Sequence, residues 1–275
     1  MEFVWLNNEL TPLDQARVSV NDRGFQYGDG LFETLRAQDG RLEFLEAHLI
    51  RLKASAQALR LPYPDDFPWE MRLTELLAAN NLTQGPARVK LQLTRGVAPG
   101  LGLPGTSRPT VVIWAQRYDP PLPEEYAAGW PVVVFPERRT TFLGRHKSLN
   151  YLFYLAARQY ALDQGAKEAV ILEADGAVSE GAATSIVYLH KGKLRIPAAA
   201  SALPGVTVGL LALGLARLKV PLKESRTPLS RLRDAQGVWL ANSLMGLMPV
   251  AAINGAPVPL SEHTDMLQKA LRSMV

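Results

Sequence analysis

The sequence predicts a mixed α/β (α+β) protein with two domains, and three observations lead to this prediction. The chain has 275 residues, which is enough for one large or two ordinary domains. Strand-like stretches are interspersed with stretches of helical periodicity along the chain. The proline-rich segment Asp119-Pro120-Pro121-Leu122-Pro123 is typical of a linker. We therefore predict an N-terminal domain at 1–118, a linker at 119–125 and a C-terminal domain at 126–275.

The composition excludes several classes of function. Hydrophobic residues make up 47% of the chain, and its net charge of +4 includes no dense block of lysine and arginine. We therefore expect a sizeable core and no nucleic-acid partner, and a small-molecule substrate that is anionic is compatible with the charge, although the charge alone does not argue for one. The absence of cysteine excludes disulfides, thiolate metal sites and cysteine nucleophiles. With no signal-peptide pattern and no apolar stretch of membrane-spanning length, we expect a soluble, cytoplasmic protein without a membrane partner.

Alternation of apolar and polar residues, or short apolar runs between turn residues, predicts strands in both halves of the chain. In the first half we expect them at 4–7, 17–20, 31–37, 87–94 and 109–114. In the second half we expect them at 132–135, 169–172, 185–189, 237–241 and 248–253.

Helical periodicity predicts four helices, at 45–60, at 69–80, behind Lys147 and behind Gly205. The last of these is apolar nearly all round, so we predict that it is buried. In the helix at 45–60, Arg51 lies about 120° from the apolar stripe, beside His48 and Ser55. Arg51 is therefore either a solvated helix arginine or an arginine that binds an anion.

Lys147 lies where we expect a loop to enter a helix. The apolar residues behind it, from Leu149 to Tyr160, recur with helical spacing until Gly165. Ser148 is then a candidate N-cap. The helix dipole disfavours a cation at this end, so a lysine there is easier to deprotonate, and a neutral lysine can form a Schiff base. The alternative is a solvated lysine in a loop.

Two glycine-rich stretches have different interpretations. The first, at 21–30, holds two aromatic residues and is long for a plain connection, so we expect it to line a site. The second, from Gly100 to Gly105, matches the dinucleotide-binding pattern G-x-G-x-x-G. We reject that interpretation, because Pro104 interrupts the pattern and a strand follows where the motif requires a helix.

Four features together suit one cofactor. Lys147 can form an imine, and Gly205-Val206-Thr207 at a helix start offers N–H groups and a hydroxyl to a phosphate. Arg51 can add a charge to that phosphate, and Glu180 can keep a ring nitrogen protonated. These are the protein's tasks in pyridoxal phosphate (PLP) chemistry, although each feature alone is common. Neither a Ser-His-Asp triad nor a metal site is indicated, since the chain has four histidines and no two are close in sequence.

Five short motifs are distributed along the chain, at 22–34, 48–52, 147–151, 179–181 and 203–207. In this order they resemble the fold-type IV PLP-dependent enzymes, which include branched-chain aminotransferases, D-amino acid aminotransferases and 4-amino-4-deoxychorismate lyases. The resemblance implies two α/β domains with PLP between them, usually in a homodimer. The residues that it implies for the cofactor are Lys147 as the Schiff-base lysine, Arg51, Val206, Thr207 and Ser243 for the phosphate, Glu180 for the pyridine nitrogen, Leu203 against the ring and Tyr151 for the phenolic oxygen.

The run from Asn242 to Val250 is most similar to the lyases of this family. D-amino acid aminotransferases carry an Arg-x-His sequence after the strand at 87–94, whereas this chain has Gly100-Leu101-Gly102. We therefore predict a lyase that makes 4-aminobenzoate and pyruvate for folate biosynthesis. The alternative is an aminotransferase acting on branched-chain or D-amino acids. A third possibility is a non-catalytic binding protein, against which the intact Lys147, Glu180 and Arg51 argue.

The lyase substrate has two carboxylates, so the site needs cations besides those that bind the phosphate. Arg145, two residues before Lys147, and Arg95, just before the second glycine-rich stretch, are the candidates. Each has an alternative as a loop charge. We prefer Arg145, because its position constrains it to lie near the lysine. Tyr27, in the first glycine-rich stretch, is a further candidate contact with the substrate.

Overall fold

A computed structural model describes residues 2–104 and 108–274, and its contacts divide the chain into two units. Unit 1 comprises Met1–Pro120 and His146–Asn150, and unit 2 comprises Pro121–Arg145 and Tyr151–Val275. Gly105, the last glycine of the rejected G-x-G-x-x-G pattern, lies outside the described residues. Within residues 2–104 and 108–274, no helix is long and apolar enough to cross a membrane.

Unit 1 is built on one antiparallel sheet. Its elements are β1 (Phe3–Leu6), β2 (Glu9–Pro12), α1 (Arg23–Tyr27), β3 (Gly30–Gln38), β4 (Arg41–Leu42), α2 (Leu45–Ala58), α3 (Trp69–Ala79), β5 (Pro86–Thr94) and β6 (Thr110–Arg117). The six strands follow the order β2-β1-β6-β5-β3-β4. Alternation along β3 sends Leu31 and Leu35 into a core shared with Leu52 and Ala56 of α2. The other face of the sheet carries mostly polar and aromatic side chains.

Unit 2 contains a larger, mixed sheet. Its elements are α4 (Pro123–Ala128), β7 (Trp130–Arg138), a 3₁₀ turn (Phe142–Arg145), α5 (Leu152–Asp163), β8 (Glu168–Leu172), β9 (Val178–Gly181), β10 (Ser185–His190), β11 (Lys193–Pro197), α6 (Val206–Arg217), β12 (Leu222–Ser225), α7 (Leu229–Arg233), β13 (Gly237–Asn242), β14 (Gly246–Ile253), β15 (Ala256–Pro257) and α8 (Thr264–Arg272). The nine-stranded sheet has the order β12-β11-β10-β13-β14-β7-β8-β9, and β15 pairs with β14. Helix α5 packs on β7 and β8, whereas α6 and α8 pack on each other and on the β13–β14 part of the sheet.

The segment around Lys147 is extended, which corrects the predicted helix start at Ser148. Helix α5 begins only at Leu152. The N–H of Phe32 donates to the carbonyl of Lys147 at 2.8 Å, and the N–H of Leu149 donates to the carbonyl of Gly30 at 2.9 Å. Pairing with β3 therefore replaces the expected helical turn, and the helix-dipole argument for Lys147 does not hold. These bonds also place Lys147 in unit 1, whereas the sequence placed it in the C-terminal domain.

Three other predictions differ from the structure. Residues 17–20 form no strand, and Val18 and Val20 are exposed. The prediction rested only on the alternation of apolar and polar residues at 17–20. No strand among the described residues pairs with this segment. Helix α6 is not buried all round, because Leu213 on its outer side is 57% exposed. Helix α4 begins at Pro123, inside the predicted linker.

Two glycines of α6 allow a matched test of the packing between α6 and α8. A Cβ at Gly214 would lie 2.1 Å from the carbonyl oxygen of Ala270, whereas a Cβ at Gly209 would meet nothing within 4 Å. Gly214→Ala should lower the free energy of unfolding by about 1–3 kcal/mol through overpacking. Gly209→Ala should raise it by about 0.5–1 kcal/mol, because alanine favours the helix. Denaturant titrations of both variants would contradict this packing if Gly214→Ala were as stable as Gly209→Ala.

Candidate active site

Lys147 is held against an aromatic ring in unit 1. Its carbonyl accepts a hydrogen bond from the N–H of Phe32 in β3, and its Nζ lies 4.6 Å from the centroid of the Phe32 ring. Phe32 is nearly buried, at 7% exposure. The lysine is therefore not a freely solvated loop side chain, and its amino group has a defined place over one face of the sheet.

A second lysine lies against the same ring. Lys90 Nζ is 4.8 Å from the Phe32 centroid and 6.0 Å from the Trp114 centroid. The guanidinium carbon of Arg88 is 5.2 Å from the Trp114 centroid. Burial lowers the pKa of Lys90, and the charge of Arg88 lowers it further. We call Phe32, Arg36, Arg88, Lys90 and Trp114 the basic sheet face.

Arg51 is fixed by a carboxylate on the helix-covered side of the same sheet. Its Nε donates to Oε1 of Glu33 at 2.8 Å, and its Nη2 donates to Oε2 at 2.6 Å. Nδ1 of His48 lies 2.7 Å from the same Oε2. Burial alone would raise the pKa of Glu33, but the bonds from His48 and Arg51 outweigh burial and lower it to about 2. Arg51 is therefore clamped in one orientation, as a fixed anion-binding arginine requires.

The side chain of Arg95 binds Asp29 and the backbone of nearby loops. It is fully buried, and its guanidinium donates to both carboxylate oxygens of Asp29 and to the carbonyls of Leu59, Arg60 and Pro104. These contacts use all five N–H groups of an arginine. No donor is left for a substrate carboxylate, so we assign Arg95 to the loop.

Tyr27 lies at the end of α1 and is half exposed. The guanidinium carbon of Arg23 lies 5.0 Å from the centroid of its ring. Both residues line a cavity of about 440 Å³, together with Asn21, Gln26 and residues 97–101. Arg23 also donates to the carbonyls of Gly100 and Gly102, at 2.7 Å each. The two glycine-rich stretches therefore meet in unit 1, and Tyr27 is accessible from their cavity.

Glu180 is the central charge among the predicted site residues of unit 2. It lies on β9 and is only 5% exposed. The hydroxyl of Tyr154 donates to its Oε1 at 2.6 Å, and the N–H of Leu203 donates to its Oε2 at 3.0 Å. Hydrogen bonds of this kind favour the ionised carboxylate. A buried anion held in this way can stabilise a protonated ring nitrogen.

Tyr151 and Tyr154 stack with ring centroids 4.7 Å apart. The Tyr151 hydroxyl donates to the carbonyl of Ala182 at 3.0 Å. Burial raises the pKa of both tyrosines, and the charge of Glu180 raises it further. Both hydroxyls therefore stay protonated around neutral pH.

The start of α6 suits an anion. Gly205 precedes the helix without a side-chain cap, and Val206 and Thr207 are buried in the first turn. The first N–H groups of a helix have no partner within it, and the dipole there is positive. A Cβ at Gly205 would lie 2.3 Å from the Ser185 hydroxyl, so the backbone approaches this side chain closely. Backbone donors and a threonine hydroxyl fit a phosphate group.

The remaining predicted residues lie in connections of unit 2. Arg145 ends the 3₁₀ turn and is exposed. Ser243 lies in the turn between β13 and β14. Their predicted contacts with substrate and phosphate remain predictions.

Several side chains in these clusters were not identified from the sequence. Glu33 had a usable signal, because it is a carboxylate at the core-facing position of an otherwise apolar alternation in β3. Lys90 gave no such signal, since alternating charges on a strand usually indicate a solvated face. Tyr154 could not be distinguished from the other apolar and aromatic residues of α5 by its spacing. Only the folded structure brings its hydroxyl to Glu180.

The two units carry the donor set that PLP requires: an amine, an arginine, a buried carboxylate and a helix start. The model of the amino-transferase class IV family matches residues 30–253. The chain belongs to this family. It is 33% identical over 263 residues to a D-alanine aminotransferase of Listeria monocytogenes serotype 4b, covering 93% of this chain and 89% of that protein. The predicted membership of the fold-type IV superfamily is thereby confirmed.

Solved class IV structures have the same fold. The branched-chain amino acid aminotransferase of Escherichia coli superposes with a TM-score of 0.88 at 24% identity, covering 99% of this chain and 94% of that chain. A PLP-bound hypothetical aminotransferase from Mycobacterium tuberculosis superposes with a TM-score of 0.85 at 24% identity, covering 99% and 98%. The predicted α/β fold and the PLP cofactor are confirmed, and the protein is a PLP-dependent enzyme.

The bonds of Glu33 with Arg51 and His48 predict that the free energy of unfolding falls at low pH. The bonds from His48 and Arg51 outweigh burial and lower the pKa of Glu33 from its ordinary value of 4.5 to about 2 on folding. Its contribution to stability is therefore complete above pH 4.5 and is lost as the pH falls toward 2. The shift corresponds to on the order of 3 kcal/mol.

Glu33→Gln should accordingly destabilise the protein at neutral pH and make its stability less dependent on acid. Denaturant titrations at neutral pH and at about pH 3 would measure this difference. Glu9→Gln, at an exposed glutamate of the same unit, is the control. An equal acid dependence of Glu33→Gln and the parent would contradict the clamp.

Proposed function

We propose that this class IV enzyme is an amino acid aminotransferase, which moves an amino group from an amino acid to a 2-oxo acid. The observation that carries this proposal is the 33% identity to a D-alanine aminotransferase over 93% of the chain. That relative makes D-alanine the first donor to test, although this chain has Gly100-Leu101-Gly102 where D-amino acid aminotransferases carry Arg-x-His. The branched-chain amino acids are the second, because the fold superposes on a branched-chain aminotransferase.

The site residues divide the work of this reaction between binding and proton transfer. PLP supplies an aldehyde that condenses with amino groups and a ring that takes up electrons. We assign to Lys147 the attachment of the cofactor and the transfer of a proton at the amine-bearing carbon of the substrate, through its Nζ. Glu180 holds a proton on the ring nitrogen. Arg51, fixed by Glu33, binds the phosphate.

Further cofactor contacts follow from the same assignment. Val206, Thr207 and Ser243 are assigned to the phosphate, Leu203 to the ring and Tyr151 to the phenolic oxygen. The burial of Thr207 and the hydrogen bond from Leu203 to Glu180 support these roles.

The lyase that forms 4-aminobenzoate and pyruvate from 4-amino-4-deoxychorismate is the second candidate. The sequence of the turn from Asn242 to Met245 favours it. The structure offers a local reason for this sequence, however. Oδ1 of Asn242 accepts from the N–H groups of Leu244 and Met245 at 3.0 Å each, and the Met245 carbonyl accepts from Tyr126 at 2.7 Å. The hydrogen bonds of the turn explain Asn242 without reference to lyase activity, so we place the aminotransferase first.

One assay separates the two candidates. Purified enzyme with PLP should convert 2-oxoglutarate to glutamate when D-alanine or L-leucine is the donor. The same enzyme should release no pyruvate from 4-amino-4-deoxychorismate in the absence of an acceptor. Acceptor-independent pyruvate release without transamination would overturn the proposal in favour of the lyase. Lys147→Ala is the control, which should lose the visible absorbance of the lysine-bound cofactor together with the activity.

The basic sheet face supports a second assignment, which concerns the substrate carboxylate. A substrate that reacts at Lys147 must come near Phe32, and Lys90 lies against the same ring. The Nε atoms of Arg36 and Arg88 are buried on this face without a hydrogen-bond partner. Cations with unused donors suit an incoming carboxylate, and we therefore propose Lys90 as its contact. Arg145 and Tyr27 remain proposed substrate contacts from the sequence.

Lys90→Ala should raise KM for the amino donor by about tenfold, as expected when a charge-assisted contact of about 1.5 kcal/mol is lost. PLP affinity should not change, because Arg51 and the start of α6 are intact. Lys193→Ala, at an exposed lysine, is the control. Steady-state kinetics of these variants and Arg145→Ala, with a PLP titration of each, would measure the effects. If only Arg145→Ala raised KM, the carboxylate contact would belong to Arg145.

We also propose a homodimer, as the family resemblance implies. Three large apolar side chains of unit 1 support it, because Val20, Phe25 and Leu101 are 71%, 76% and 90% exposed. A second copy could cover such side chains.

A further inference from the structure

Arg139 is a largely buried arginine in unit 2, and two nitrogen atoms of its guanidinium lack hydrogen bonds. It directly follows β7, and its side chain is only 16% exposed. Its Nε and Nη2 atoms are buried without a hydrogen-bond partner. Burying N–H groups without partners is unfavourable, so this arrangement requires another source of stabilisation.

Two rings and one carboxylate surround the guanidinium. Its carbon lies 4.5 Å from the centroid of Phe153 and 4.2 Å from the centroid of Tyr154. Its Nη2 lies 3.9 Å from Oε1 of Glu180. That distance is too long for a hydrogen bond, so Arg139 acts on this carboxylate through its charge.

Tyr154 connects the arginine to the same carboxylate oxygen. Its ring lies against the guanidinium, while its hydroxyl donates to Oε1 of Glu180 at 2.6 Å. The backbone on either side of the arginine is fixed as well. The N–H of Arg139 donates to the carbonyl of Leu172 at 3.2 Å, and the Thr140 hydroxyl donates to the buried Glu173 at 2.6 Å. Arg139, Tyr154 and Glu180 therefore contact one another in that order, and hydrogen bonds hold the backbone at Arg139 in place.

We propose that Arg139 is a positioning residue that keeps Glu180 ionised and correctly oriented for the ring nitrogen of the cofactor. It does so through its charge and through the ring of Tyr154. This inference rests on the proposed role of Glu180. At 3.9 Å the positive charge of Arg139 stabilises the carboxylate through space, without a hydrogen bond to it.

Arg139→Met tests the charge, because methionine retains an apolar stem against the two rings. PLP binding to the apoenzyme should weaken by about tenfold, the equivalent of one pKa unit in the ionisation of Glu180. The absorbance maximum of the bound cofactor should move to shorter wavelength, because its ring nitrogen is protonated for less of the time. Arg139→Lys should restore both properties, since lysine retains the charge. Arg138→Met, at the exposed neighbouring arginine, is the matched control and should behave like the parent.

A double-mutant cycle tests the route through Tyr154. Tyr154→Phe and Arg139→Met should be less than additive in their effects on PLP affinity, because both act on Glu180. The melting temperature of each apoenzyme identifies variants that do not fold, and Arg139→Gln replaces Arg139→Met if that variant fails.

Glu180→Gln separates this inference from the function on which it rests. If Glu180→Gln leaves PLP affinity and absorbance unchanged, the assignment of Glu180 is wrong and the role of Arg139 falls with it. If Glu180→Gln weakens binding while Arg139→Met and Arg139→Gln match the parent, the role of Arg139 alone is overturned.

Discussion

Two backbone hydrogen bonds between β3 and the segment around Lys147 determine the organisation of unit 1. They join residues more than a hundred positions apart in sequence and fix the lysine beside Phe32. Strand alternation then directs Phe32 to one face of the sheet and Glu33 to the other. A single strand therefore places the reactive amine on one side and orients Arg51 on the other. Without this pairing, the amine would have no fixed relation to either group.

The charged groups of unit 1 fall into two kinds. Glu33 is bonded to Arg51 and His48, and Asp29 is bonded to Arg23 and Arg95, so these buried charges are matched. On the basic sheet face, the Nε atoms of Arg36 and Arg88 are buried without hydrogen bonds, although Nε of Arg36 lies 3.8 Å from Oε1 of Glu43 in an ion pair. Buried donors without hydrogen bonds are unfavourable in a folded protein, and a bound anion is one way to satisfy them. This contrast supports an anionic substrate on the basic sheet face.

The sequence predicted best those elements whose own residues carry the signal. Helix α2 and strand β5 have long periodic patterns, and their positions agree with the prediction to within a few residues. The segment at Lys147 also has helical spacing, but its backbone bonds to a distant strand instead. Spacing describes which side chains share a face and contains no information about a partner remote in the chain. The pairs Arg51–Glu33 and Arg95–Asp29, which are 18 and 66 positions apart, could not be derived from spacing either.

Lys90 in β5 and Arg95 directly after it illustrate how the folded structure determines the role of a residue. The sequence made Arg95 a candidate substrate contact because it precedes a glycine-rich stretch, whereas it suggested no role for Lys90. In the structure all five donors of Arg95 are used by Asp29 and by three backbone carbonyls. Lys90 instead lies against the rings of Phe32 and Trp114. Aromatic faces stabilise a cation without occupying its N–H groups, so a lysine in this setting remains able to bind an anion. A cation's suitability for a substrate thus depends on how many of its donors the fold has already used.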